Sequence, residues 1–283
     1  MNIKRVIPKL DIKGPNLVKG INYEGLRVLG DPEFFIKSYY NEGADEIIYQ
    51  DCVASLFNKS YILDLIKKFS SEIYIPNVVG GGIRSLNDIE MILKNGADKV
   101  FLNSAVIKNP NLIDLAVKKF GSSTISISIE ANKFNNSDYV AFYDYGREYS
   151  DKKVIDWIDE VQSRGAGEII LTSISYEGLG MGFDFELIDK LKDVVKIPFI
   201  INGGAGNKSD IKSVLKKNYV TGVAVSSILH YEIINRKNFV FNKKQEGNYE
   251  FLNNKFYDYL SNHQLITIKD LKSYLRKNYI KVR

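Results

Sequence analysis

Two carboxylates stand where this chain could do acid–base chemistry. Asp11 ends the run Arg5-Val6-Ile7-Pro8-Lys9-Leu10-Asp11, and Glu130 ends the run Thr124–Glu130. Both runs are rich in β-branched residues and read as strands. If the two strand ends face one another in a closed pocket, their surroundings can split their pKa values, as a general acid and a general base require. Either group alone could instead cap a loop amide.

Glycine supplies the second chemistry. Gly80-Gly81-Gly82 and Gly203-Gly204-Ala205-Gly206 each follow a strand-like run and precede a helix pattern. Without a Cβ, backbone N–H groups approach an anion closely, and a helix N-terminus adds partial positive charge. One such loop is weak evidence, because tight turns between strands and helices also use glycine. Here there are two, each followed one unit later by small polar residues at a strand end, Asn103-Ser104 and Ser226-Ser227. Two phosphate sites follow, and a substrate with a phosphate at each end. By contrast, Gly178-Leu179-Gly180-Met181-Gly182 lacks the setting of a dinucleotide fingerprint and reads as a mobile active-site loop.

A third set lies at the opposite strand ends. Arg5, Glu46, Lys99 and Glu168 each begin a strand. Period-two alternation puts Arg5 on the same side as Asp11, so it points inward. Two cations and two anions can close a ring, the condition under which buried charge is tolerated. Such a ring is either a structural plug or a gate. Inward positions above it include Lys9, Ser126, Ser128 and Thr172, a polar interior that suits a conduit.

These groups need a scaffold that brings strand ends together. Eight strand-like runs recur: 5–12, 46–51, 73–79, 99–102, 124–130, 168–173, 197–202 and 222–226. Between them lie punctuated helix patterns: Asp31-Pro32 opens one and Gly43 follows it, Ser85 with Asp88 forms a capping box before Gly96, and Asn109-Pro110 and Gly121 bracket another. This alternation demands parallel strands with right-handed crossovers. Eight units close most simply into an α/β (β/α)8 TIM barrel, with a doubly wound open sheet as the alternative. The segments 76–82 and 198–204 match in pattern, which reads as an internal half-barrel repeat.

The chain has 283 residues, 45% of them hydrophobic, a size that fits a single barrel domain over 1–283. The stretch 235–263, rich in Asn, Lys, Phe and Tyr, reads as an insertion before a last helix at 268–277 that Thr267 caps. No apolar run is long enough to span a membrane. No signal peptide is apparent, and a single cysteine, Cys52, excludes an intrachain disulfide; a cytoplasmic setting is expected. The net charge of +5 is dispersed, without the basic stripe of a nucleic-acid binder. His230 and His263 show no metal-ligand spacing, so neither a metal nor a cofactor is expected. His230 and Trp157 are expected to pack in the core.

The combination of motifs resembles the cyclase subunit of imidazole glycerol phosphate synthase, the HisF family. The motifs are Arg5–Asp11, Leu17-Val18-Lys19-Gly20, Gly30-Asp31-Pro32, Gly43-Ala44-Asp45-Glu46, Val79–Ser85, Asn95–Val100, Asn103-Ser104-Ala105, Gly165–Ser173 and Gly203–Asn207. They cover nearly the whole chain except the tail insertion.

The resemblance implies roles. Asp11 and Glu130 would be catalytic. Lys19, Asp51, Gly81, Gly82, Asn103, Ser104, Glu177, Gly178, Gly203, Gly204, Ser226 and Ser227 would bind substrate and its phosphates. Arg5, Glu46, Lys99 and Glu168 would gate ammonia made by a glutaminase docked at the N-terminal face of the barrel, where Asp98 also lies. The substrate would be a bis-phosphorylated aminoimidazole carboxamide nucleotide, which ammonia cleaves with closure of an imidazole ring. The chain departs from the family at the mouth. Glu130 replaces an aspartate, Lys9 a cysteine and Asn132 a lysine, and Ser175-Tyr176-Glu177-Gly178-Leu179 stands for Asp-Arg-Asp-Gly-Thr. Some relatives of the family work beside a glutaminase and a third protein that amidinates bacterial surface sugars. Three readings stay open: the cyclase, an ammonia relay to such a sugar amidotransferase, and a stand-alone sugar-phosphate isomerase, which the charged ring disfavours.

Overall fold

The structure is a computed structural model that describes residues 3–53, 60–134, 138–236 and 260–283. Most of the insertion expected over 235–263 lies outside the described residues.

Eight parallel strands form a ring. They are β1 (Arg5–Lys13), β4 (Ile47–Asp51), β5 (Asn77–Gly80), β6 (Lys99–Leu102), β7 (Ile125–Lys133), β10 (Glu168–Ser173), β11 (Phe199–Asn202) and β12 (Gly222–Val225). Each pairs with the next, and β12 pairs back to β1 through Arg5↔Gly222 and Ile7↔Ala224, so no edge is left open. The barrel alternative is thus the one realised. All eight expected runs carry a strand. The third is shorter than expected: residues 73–76 only lead into β5.

Helices cover the outside. They include α1 (Pro32–Asn41), α2 (Ser60–Phe69), α3 (Leu86–Lys94), α4 (Ser104–Lys108), α5 (Asn111–Phe120), α6 (Val154–Ser163), α7 (Phe185–Lys190), α8 (Lys208–Leu215), α9 (Ser227–Ile234) and, last, α10 (Ile268–Lys277). Their punctuation matches the sequence in most places. Asp31 caps α1, Ser85 and Asp88 form the capping box of α3, and Thr267 accepts from the Asp270 amide at α10. At α5 the residue before the helix is Pro110, which offers no side-chain cap. Trp157 and His230 are buried, and the Tyr39 hydroxyl meets His230 Nδ1 at 2.5 Å.

Two antiparallel ribbons stand on the barrel mouth, and the strand pattern did not anticipate them. β1 runs on into β2 (Asn16–Ile21) and β3 (Glu24–Gly30), and β7 runs on into β8 (Tyr139–Tyr143) and β9 (Glu148–Lys153). β1 and β7 are the first and fifth barrel strands, both nine residues long. The ribbons therefore repeat at half-barrel spacing, as the matched glycine loops do. Their turns also match. Asn22-Tyr23 and Asp144-Tyr145 all hold positive φ, the left-handed geometry that tight hairpin turns need. The two turns meet: the Tyr23 and Tyr145 rings lie 4.4 Å apart, centroid to centroid.

The barrel interior is layered. Above the floor, Ile7, Ile48, Val78, Phe101, Ile170, Ile200 and Ala224 form their own apolar cluster, separate from the main core between strands and helices. Lys9, Ser126, Ser128 and Thr172 are buried as expected, but the interior is less uniformly polar than they suggest. Gly80 makes room for the Phe101 ring, which a Cβ there would meet at 2.3 Å.

Candidate active site

The floor is built by one local device used three times. Gly43-Ala44, Gly96-Ala97 and Gly165-Ala166 end helices with a left-handed glycine, at φ 83, 106 and 89, and deliver the next strand. That strand begins at or next to Glu46, Lys99 or Glu168. Arg5 opens β1 and completes a ring. Its guanidinium donates to Glu46 at 2.7 Å and to Glu168 at 2.5 Å. Lys99 Nζ lies 3.5 Å from Glu46 and 3.3 Å from Glu168. Burial pushes the Glu46 carboxyl up, and Glu168 adds to this; Arg5 and Lys99 oppose it. Two aspartates brace the floor: Asp45 accepts from the Val6 amide and Asp98 from the Asn77 amide, both at 2.8 Å. The four sequence-predicted ring residues thus meet as one ring.

At the mouth, Asp11 points inward from β1. Its Oδ1 lies 2.6 Å from Lys9 Nζ, and its Oδ2 lies 3.9 Å from Lys19 Nζ on β2. Burial would raise the Asp11 carboxyl, but the Lys9 and Lys19 ammonium groups outweigh it and hold the group below the ordinary carboxylate value. Glu130 on β7 has the opposite fate. Burial pushes its carboxyl up to about 7, against the pull of Lys9 and of the Gly146 amide, which donates to Oε2 at 2.8 Å. The two carboxylates are split in the way an acid–base pair needs. Lys19 also pairs with Glu177, and the Glu177 carboxylate accepts from the Tyr23 amide at 3.4 Å.

The glycine loops line two cavities near these groups. The first, about 370 Å³, is lined by Asp51, Gly81, Gly82, Asn103, Ser104 and Glu130, with the cations of Arg84 and Lys108. Gly81 at φ 103 could carry no side chain, since a Cβ would sit 2.3 Å from the Asp51 carbonyl oxygen. Asn103 Oδ1 is buried without a hydrogen-bond partner among the described residues. Ser104 Oγ accepts from the Asp144 amide at 2.9 Å. The second cavity is lined by Lys19, Glu177, Gly178, Gly203, Gly204, Ser226 and Ser227, and holds only about 20 Å³, little more than one water. It is narrow because the 178–182 loop lies against it: the Gly182 amide donates to the Gly204 carbonyl at 2.8 Å, and a Cβ on Gly204 would meet the Gly182 oxygen at 2.0 Å.

Every sequence-predicted site residue therefore falls at the floor ring, at Asp11, or in one of the two cavities. Sequence reasoning missed the roof made by Tyr23 and Tyr145, the cations Arg84 and Lys108, and the ion pair between Lys9 and Asp11. The last had a signal, because Lys9 and Asp11 are two apart on one strand and share a face.

Comparison with known proteins adds an independent finding. A family model described as "Histidine biosynthesis protein" matches residues 5–235. The protein named "Imidazole glycerol phosphate synthase subunit HisF" from Legionella pneumophila is 47% identical over 206 residues, 73% of this chain and 97% of that protein. Proteins of the same name from Campylobacter concisus and Helicobacter hepaticus are 45% and 41% identical, covering 81% and 83% of this chain and 90% and 92% of their own length.

Proposed function

Since the chain belongs to the HisF family of histidine biosynthesis proteins, we propose that it works as the cyclase subunit of an imidazole glycerol phosphate synthase. Ammonia from a glutaminase subunit at the barrel floor passes the ring of Arg5, Glu46, Lys99 and Glu168. At the mouth it meets a bis-phosphorylated aminoimidazole carboxamide nucleotide, which it converts to imidazole glycerol phosphate and the aminoimidazole carboxamide ribotide. A cytoplasmic setting fits; among the described residues no helix is long and apolar enough to cross a membrane.

One observation carries the reading: the charged ring, the inward carboxylates and the two glycine-lined cavities share a single barrel, with Glu130 lining the first cavity and Asp11 beside Lys19, which lines the second. Arg84 and Lys108 give the first phosphate its counter-charge. The second phosphate enters only if the 178–182 loop lifts from Gly203-Gly204, because the present space is too small for it. The split carboxylates then have distinct work: one stays ionised, the other carries protons near neutral pH.

A second reading, the ammonia relay to a sugar amidotransferase, is favoured by Lys9, whose ion pair with Asp11 occupies the barrel mouth. The test is turnover of the imidazole precursor by the purified chain supplied with ammonium chloride. The cyclase forms both products without any partner. If the chain binds the precursor and forms neither, the relay stands instead.

A further inference from the structure

The two lysines around Asp11 do more than balance its charge. Lys9 Nζ engages Oδ1 at 2.6 Å, and both side chains are buried. Among the described residues Oδ2 accepts no hydrogen bond, although it too is buried, and Lys19 Nζ stays 3.9 Å from it. A buried carboxylate oxygen without a donor is costly. It lies further along the strand that carries Ile7 of the apolar layer and Arg5 of the floor ring. The oxygen keeps acceptor capacity that a small N–H donor could use.

We propose that Lys9 is a positioning residue: it fixes the Asp11 carboxylate so that Oδ2 orients the nitrogen nucleophile, and it leaves the proton transfers at the mouth to Glu130. This rests on the cyclase reading for its reaction, though its structural core does not. Lys9 reaches both carboxylates, pairing with Asp11 and lying close enough to Glu130 to lower it. Glu130 is held by the Gly146 amide and the Gln50 side chain, with no ion pair to lock it among the described residues. The groups facing Asp11 besides the lysines are Glu130, Tyr23, His230, Cys52 and Tyr145. Burial lowers His230 to about 3 and raises Tyr23, Cys52 and Tyr145, so these four stay neutral at working pH. Facing Glu130 are Lys9, Asp11 and the neutral Tyr23. In the reaction, ammonia held by Oδ2 adds to the carbonyl carbon of the substrate, and the carbonyl oxygen leaves as water to give an imine. The imine nitrogen then bonds to the formimino carbon while the bond from that carbon to the aminoimidazole nitrogen breaks. Glu130 takes the proton that the incoming nitrogen sheds and returns it to the leaving nitrogen, so precursor and ammonia balance two products and one water.

The experiment follows the side-chain carboxyl carbons by ¹³C NMR in the full, ligand-free chain, so it does not depend on the reaction. The expected result is an Asp11 carbon that stays ionised to below the ordinary aspartate range, a Glu130 carbon that titrates near neutrality, and a saturable shift of the Asp11 carbon on adding ammonium chloride. Lys9→Met moves the Asp11 titration up; Lys9→Arg restores it and guards against a folding artefact. With the imidazole precursor, Lys9→Met raises KM for ammonium about tenfold, the size of one pKa unit of interaction, with a smaller change in kcat. The proposal is overturned if Asp11 titrates at or above the ordinary value, if ammonium leaves its carbon unmoved, or if Lys9→Met shifts nothing. A wild-type chain that makes no imidazole would refute the cyclase reading, while the two NMR readouts would still decide the proposal.

Discussion

Burial strips Glu130 of most of its solvation, and among the described residues one backbone amide and one side-chain amide reach it. Its carboxyl is raised from 4.5 to about 7. The sign of the consequence follows from linkage. The folded state holds this proton more tightly than the unfolded state. Glu130 therefore costs no stability below about pH 4.5, and its cost grows as pH rises from there to about 7. Glu130→Gln keeps the neutral shape and should remove up to ~3 kcal/mol of that pH-dependent loss. Urea unfolding of both proteins at pH 4.5 and pH 8 reads the difference. Parallel pH profiles would mean that Glu130 is solvated. Asp11 has the opposite sign: its carboxyl is depressed, so its contribution is present above the ordinary aspartate value and lost only in stronger acid. The two effects fall in separate windows. At this scale the sequence was informative about which residues matter and silent about their state. Asp11 and Glu130 were readable as strand ends, but the split between them comes from the burial of Glu130 and from the Lys9 and Lys19 ammonium groups beside Asp11, and neither that burial nor the approach of Lys19 from β2 is written in the strand pattern.

The barrel strands, unlike the ribbons, were legible as elements. β-branched runs between glycine punctuation gave all eight barrel strands, because strands buried on both faces read as continuous apolar stretches. The two ribbons were missed for a physical reason. Asn22-Tyr23 and Asp144-Tyr145 turn with left-handed residues that are not the usual Asn-Gly pair, and β9, Glu148–Lys153, is largely exposed and polar. The glycine loops were found because their backbone conformations exclude other residues. At Gly204, φ is 112 and a Cβ would overlap the Gly182 oxygen; at Gly121, φ is 88 and the space is open. Gly204→Ala should thus cost about 2–4 kcal/mol, and Gly121→Ala only about 1 kcal/mol, the strain of a left-handed alanine. Thermal melts of the two variants test this; equal losses would deny the close approach of the 178–182 loop. The same loops should bind phosphate. Inorganic phosphate should raise the melting temperature of the wild type, since a ligand of the native state stabilises it by mass action. Gly82→Glu should remove the part due to the first cavity, and Gly204→Glu the part due to the second. Undiminished protection in both would place the phosphate elsewhere.

Taken as a whole molecule, the chain keeps its charge chemistry at two ends of one barrel, with an apolar layer between. The floor ring was legible in the sequence, because four charged residues begin strands and alternation turns Arg5 inward. The apolar layer was not, since Phe101 enters the barrel only where Gly80 has no side chain to oppose it. The ring is also a stability element. Lys99→Met leaves Glu46 and Glu168 facing each other with Arg5 alone between them. It should destabilise the fold by about 1–3 kcal/mol, at the lower end because Lys99 is partly solvated. Denaturant unfolding at neutral pH checks the loss. The central claim is that ammonia released beneath the ring is consumed at the mouth of the same barrel. It is tested most directly by combining the chain with the glutaminase of its own cell, the imidazole precursor and glutamine labelled with nitrogen-15 in its side-chain amide, with unlabelled ammonium in the solvent. The account predicts label in imidazole glycerol phosphate with these two proteins alone, and dilution of that label by solvent ammonium when Lys99→Met opens the ring. Unlabelled product, or no product while the glutaminase is active, would contradict it.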